Sequence, residues 1–150
     1  MCLLVNETRA YEWRRDGYTI STERKRFDMG VIARFLAEEA YWSPGIDRDL
    51  VEKAIAGSMP FGLYDATGAQ AGFARVVTDG TLFAYLRDVF ILKQHRGRGL
   101  GTWLAEIAVS HPDLTTIKGW MLATDDAHGV YAKVGFHSLK RPDWYMQIIR

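Results

Sequence analysis

The sequence predicts an α/β (α+β) domain: a mixed, mostly antiparallel central sheet with at least one parallel strand pair and helices on both faces. Three observations predict it. Strand-like segments at Phe61–Tyr64, about Gln70–Val77 and about Leu82–Leu92 follow one another across short Asp/Gly turns, which is the pattern of antiparallel neighbours. The last of these leads into an amphipathic helix and then into another strand, Ile117–Ala123, and a helical crossover returns the chain parallel to itself. Two further amphipathic helices precede the strands and can cover the other face. At 150 residues the chain suits a single compact core.

The elements follow in order. Residues 1–16 form an N-terminal extension with Tyr11 and Trp13 among charges, which reads as an extra strand, an arm or part of an interface. The domain proper is taken as residues 17–150. Tyr18–Thr22 is β-rich and alternating. Asp28 suits the N-cap of a helix whose apolar stripe is Ile32, Phe35, Leu36 and Ala40, ended by Ser43-Pro44-Gly45. A second helix starts at Asp47 or Asp49 and carries Leu50, Val51, Ala54 and Ile55. Asp65–Gly68 turns the first hairpin, and Asp79-Gly80 is expected to make a tight turn in the second. The strand at Leu82–Leu92 is apolar on both faces, as a buried central strand is. Leu100, Trp103, Leu104, Ile107 and Ala108 give the strongest helical spacing in the chain. A short helix at Asp126–Lys133 is stopped by Gly135, and short strands near Phe136 and at Trp144–Ile149 close the sequence.

Composition excludes several classes. Apolar residues make up 48% and charged residues 25%, ordinary for a globular protein. A net charge of +1 provides no global field for nucleic acid or an anionic membrane, so neither is expected as a partner. Cys2 is the sole cysteine, which rules out an intrachain disulfide and disfavours a cysteine-based metal site; no metal is expected. With no signal-peptide core or spanning apolar run, the cytoplasm is the expected compartment.

The chemistry concentrates at Gln94-His95-Arg96-Gly97-Arg98-Gly99-Leu100-Gly101. Alternating glycines at a strand-to-helix junction let the backbone turn sharply and approach a ligand closely. Free amides and the positive dipole end at a helix start make an anion site, and Lys93, Arg96 and Arg98 add charge. A turn that merely needs glycine is the plainer alternative. A P-loop would require Lys followed by Ser or Thr after the last glycine, and a dinucleotide fingerprint would require glycine where Thr102 stands. Both nucleotide readings weaken.

Gln94-His95-Arg96-Gly97-Arg98-Gly99 resembles the Gln/Arg-x-x-Gly-x-Gly/Ala hallmark of the GCN5-related N-acetyltransferases (GNAT). One helix and one strand later, Ala127–Phe136 is similar to that family's Ala-x-x-Leu-Tyr-x-Lys-x-Gly-Phe. The resemblance covers about residues 17–150. It implies the acyl-CoA N-acyltransferase fold, acetyl-CoA as co-substrate and direct transfer of an acetyl group to a primary amine of a small molecule or peptide. A non-catalytic acyl-CoA-binding or regulatory module on the same fold is the alternative. By the same resemblance, the strand ending at Leu92 splays from its parallel neighbour. Pantetheine then pairs with backbone around Phe90, Ile91 and Leu92, and amides from Arg96 through Gly97, Arg98, Gly99 and Leu100 to Gly101 hold the pyrophosphate. Two positions depart from the family pattern: Thr124 stands where asparagine is frequent, its hydroxyl still able to hydrogen-bond the cofactor, and Lys93 stands where proline is common.

Tyr131 occupies the place of the family's proton donor to the leaving thiolate, and a phenol of pKa about 10 suits that task. Asp88, a carboxylate in mid-strand, is the candidate base, with pairing to Arg75 or Arg87 as its structural alternative. His128, Glu38 and Glu39 are lesser candidates. Between Asp28 and Asp65 seven acidic residues face three basic ones. With Tyr41, Trp42 and Phe61 they could receive a cationic amine, or simply be solvated helix faces. The C-terminal strands, with Trp144 and Tyr145, could support a homodimer.

Overall fold

The computed structural model describes residues 9–150; Cys2 lies outside the described residues. Six strands form one sheet in sequence order: β1 (Glu12–Arg15), β2 (Tyr18–Ser21), β3 (Met59–Tyr64), β4 (Gln70–Thr78), β5 (Phe83–Ile91) and β6 (Gly119–Met121). Neighbours are antiparallel from β1 to β5, and β5 and β6 are parallel. The mixed sheet is thus the one expected. The ambiguous N-terminal segment contributes an edge strand, with Trp13 opposite Ile20. Tyr11, Trp13 and Phe61 surround the ring of buried His111, which pins this edge to the end of the long helix. Burial there lowers the His111 pKa, and its Nδ1 accepts the Asp113 amide, as a neutral ring can.

Helices cover both faces. α1 (Met29–Glu38) begins where the Asp28 side chain accepts the Val31 amide, and it buries Ile32, Ala33, Phe35 and Leu36. α2 (Arg48–Ala56) buries Val51 and Ile55, whereas Leu50 points outward and is exposed. Together with Phe73 and Phe90 they build one apolar cluster, in which Phe35 and Phe90 stack at 4.0 Å. On the opposite face α3 (Leu100–Val109) packs Leu100, Trp103, Leu104 and Ala108 against Leu63, Val76 and Leu86. α4 (His128–Ala132) adjoins α3.

Three local expectations are corrected. The β4–β5 connection is wider than a two-residue hairpin, because Asp79 Oδ1 collects the amides of Thr81, Leu82 and Phe83 and stabilises a broader loop. Rather than being covered on both faces throughout, β5 alternates between exposed and buried positions over its first half. Among the described residues no strand follows β6. Phe136 lies in irregular chain, and Pro142–Trp144 forms a 3-10 turn leading to exposed residues. Strand propensity there meets no pairing partner among the described residues.

Candidate active site

Two irregularities of β5 create the site. The first is on its β6 side. The parallel pairing covers only Phe83 to Tyr85, opposite Gly119 to Met121, while β5 runs on to Ile91. Beyond the last pair a cavity of about 460 Å³ opens between Leu86–Val89 and Leu122–Ala127. The second is on its β4 side. Phe73 pairs with Phe90 but Arg75 with Arg87, so Asp88 and Val89 together face the single residue Ala74. Asp88 takes a left-handed backbone with φ 53°, a conformation that aspartate tolerates better than most residues.

The bulge aims Asp88 into the cavity between two donors. Arg75 Nε donates to Oδ2 at 2.6 Å, and Trp42 Nε1 donates to Oδ1 at 2.8 Å. Both ion-pair side chains are nearly buried. Arg87 is 4.0 Å from Oδ1 and mostly exposed, so Arg75 is the dominant ionic partner. The mid-strand carboxylate therefore has structural partners and also lines the cavity.

Tyr131, on α4, lines the same cavity, and its ring meets Phe136 edge-on at 6.1 Å. Burial, with smaller contributions from Tyr41 and Asp126, pushes its pKa up to about 12. The phenol stays protonated at neutral pH and can act as a donor. Tyr41 crosses from the α1–α2 connection and accepts the Asp125 amide at 2.7 Å. Thr124 Oγ1 accepts the Ala127 amide at 3.1 Å, which closes the turn ahead of α4 and leaves its O–H free to donate.

The glycine-rich turn lies beyond the end of β5. Gly97 and Gly99 have φ of 80° and 73°, a region where a side chain is strained. The first helical bond of α3 runs from Trp103 N–H to Gly99 C=O. Among the described residues, the amides from Gly97 to Thr102 therefore have no protein acceptor. They form a run of free donors at a helix start. Arg96 is spent partly on structure, since its Nε donates to the Ile91 carbonyl at 2.9 Å. Arg98 is exposed beside the donors, and Leu100 is buried beneath them. The turn is braced by Tyr18 Oη and His95 Nδ1, 2.8 Å apart, and by Arg15, which reaches the Gly99 carbonyl.

Of the three strand residues expected beside pantetheine, Leu92 gives its amide to Ala71 on β4, and Phe90 is buried under α1. Alternation along the strand turns the peptide groups of Ile91 toward the gap. Glu38 and Glu39 are exposed away from the cavity, and His128 borders an adjoining groove. The acidic stretch does not form the pocket: Asp28 caps α1, Asp65 caps its own turn, and Glu52 pairs with Arg48. Phe61 is fully buried on the α3 face. The acidic wall comes instead from Asp88, Asp125 and Asp126, while Tyr41 and Trp42 line the cavity as expected, joined by Tyr85. Sequence reading missed Tyr85, Asp125 and Asp126; the two carboxylates immediately precede the Ala127–Phe136 motif, and that position was their only signal.

Known proteins point the same way. The acetyltransferase (GNAT) domain family matches residues 60–138. A Gibberella zeae protein assigned as an acetyltransferase is 30% identical over 83% of this chain and 82% of its own length. A crystal structure from Xanthomonas campestris pv. campestris, assigned to the GNAT-family acetyltransferases, superposes with a TM-score of 0.84 at 41% identity, covering 89% of this chain and 93% of that one. The spermidine N-acetyltransferase of Vibrio cholerae, solved with CoA and spermine, shares the fold at a TM-score of 0.64 and 18% identity, over 81% of each chain. A strand splay, a free-amide turn and a family match over more than half of the sequence agree: the chain belongs to the GNAT family and is an acetyltransferase.

Proposed function

We propose that the protein transfers an acetyl group from acetyl-CoA directly to a primary amine of a small molecule or peptide. One observation carries this reading: the free amides of Gly97–Thr102 and the cavity bearing Asp88 and Tyr131 lie along one strand, β5 and its continuation. The amide run suits a pyrophosphate, the outward N–H of Ile91 suits a carbonyl of an amide-containing arm, and the splay leads that arm to the cavity. The Vibrio cholerae enzyme of the same fold was solved with CoA, which fits a donor of this shape.

The roles divide between two side chains. Tyr131 donates its proton to the departing sulfur, a task for which a phenol held neutral is suited. Asp88 receives the proton of the incoming ammonium through a water. Its carboxylate keeps lone pairs free after accepting from Trp42 and Arg75. The bulge and the two donors fix its position, and Asp125 and Asp126 favour a cationic acceptor.

Thermal unfolding with added acetyl-CoA and thiol release over a panel of amines test the proposal together. A rise in Tm with acetyl-CoA and amine-dependent thiol release are expected. No rise with acetyl-CoA at millimolar concentration would overturn the donor assignment. Thiol release that ignores every amine would overturn the acceptor assignment.

A further inference from the structure

The first two strands form a hairpin whose tip reaches the glycine-rich turn. Asp16 and Gly17 join β1 to β2, and both take left-handed backbones, with φ of 51° and 81°. Such a pair suits a two-residue turn whose twist matches that of its strands. The turn makes Arg15 and Tyr18 cross-strand partners, so their side chains leave the hairpin on the same face. Both end on the segment that joins β5 to α3. Tyr18 Oη lies 2.8 Å from Nδ1 of His95, and the two rings meet edge-on at 5.6 Å. Arg15 lies over the Trp103 ring at 4.7 Å and donates to the Gly99 carbonyl at 3.3 Å. On the far side of the His95 ring, Nε2 is 3.8 Å from Asp65 Oδ2, and Asp65 is itself fixed by the amides of Thr67 and Ala69.

The hairpin thus grips the turn on either side of Gly97. Between the two grips lie Arg96, Gly97 and Arg98, whose one side-chain hydrogen bond among the described residues is that of Arg96 to the Ile91 carbonyl. A free chain with glycine at 97, 99 and 101 has many conformations, and ordering it around an anion would cost that entropy at the moment of binding. Parallel N–H groups at a helix start also repel one another when no anion lies between them. A rigid two-pronged hairpin offsets both costs before the ligand arrives, and so raises affinity without adding a contact. Neither Arg15 nor Tyr18 lines the cavity that holds Asp88 and Tyr131, so their influence falls on donor binding and not on the transfer step.

Resting on acetyl-CoA as the donor, we propose that Arg15 and Tyr18 are positioning residues that hold the Gly97–Thr102 amides in the arrangement that receives the pyrophosphate. The β1–β2 hairpin, which lies outside both sequence motifs, is in this way part of the donor site.

Calorimetric titration with CoA, well below the unfolding temperature, tests this. There a variant that is merely less stable is still folded and keeps its Kd. Tyr18→Phe keeps the ring and loses the hydroxyl; it is expected to raise Kd about fivefold. Arg15→Met keeps an apolar stem over Trp103 and loses the fork; about tenfold is expected. Arg15→Lys keeps the charge without the fork and is expected to bind as weakly as Arg15→Met. In turnover, the same factors should appear in KM for acetyl-CoA, with kcat little changed. Binding of CoA that neither Tyr18→Phe nor Arg15→Met weakens would overturn the proposal alone. Full recovery in Arg15→Lys would also overturn it, since charge near a phosphate would then carry the effect in place of geometry. No binding of CoA by the unmodified protein would overturn the donor reading, and this proposal with it.

Discussion

The two sides of β5 differ as much as any two regions of the molecule. Toward β4 it is paired from Ala84 to Ile91, interrupted once by the bulge at Asp88–Val89. Toward β6 the pairing stops after three residues. Pairing with β4 holds Leu86 and Phe90 in the apolar clusters of the two faces, while the β6 side opens on the cavity, with Tyr131 in its wall. One strand thus carries stability on one edge and chemistry on the other. Substitutions should separate the two.

The largest effect is expected on the packed side. Phe90→Ala removes a buried ring stacked on Phe35 and should cost about 3–5 kcal/mol of stability, read from urea unfolding. A loss of activity without that destabilisation would break the division. On the open side, Tyr131→Phe should lower kcat roughly 100-fold with little change in Tm, measured by thiol release. An equal loss of stability and rate would mean that Tyr131 only packs. Gly99→Ala strains a left-handed position and should cost about 1–2 kcal/mol, while raising KM for the acyl donor more than it lowers kcat.

The smallest effect is a pH dependence. Because the folded pKa of Tyr131 lies above that of a free phenol, the folded state holds its proton more tightly than the unfolded state. Its contribution is complete below pH 10 and is lost as pH rises toward about 12. By pH 11 the loss relative to Tyr131→Phe should be about 1 kcal/mol in chemical unfolding.

What could be read from sequence was local. The stripe of α1, its Asp28 cap and the glycine turn each depend on residues within a few positions, so periodicity and turn chemistry revealed them. The cofactor loop was legible for the same reason. The acceptor wall was not. Asp88 meets Trp42 and Arg75 across separations of 46 and 13 residues, and Tyr41 meets Asp125 across 84. Phe61 was misplaced because alternation along a strand gives two faces without saying which one meets α3. The C-terminal strands failed for a related reason: propensity describes a segment, whereas a strand requires a neighbour.

The bulge in β5 also acts as a phase shift. Ahead of it the even-numbered residues Ala84 and Leu86 pack beneath α3. After it the parity reverses, so that Val89 and Ile91 lie on the α3 face while Phe90 and Leu92 lie on that of α1 and α2. The residue count between Leu86 and Phe90 is therefore as strict a requirement as any side chain. Deleting one residue there would restore plain alternation with Phe90–Leu92 on their present faces, and would abolish the bulge that turns Asp88 into the cavity. Length variation in this family should consequently be absent from Arg87–Leu92 and tolerated in the Asp79–Leu82 loop, a pattern visible in an alignment before any protein is made.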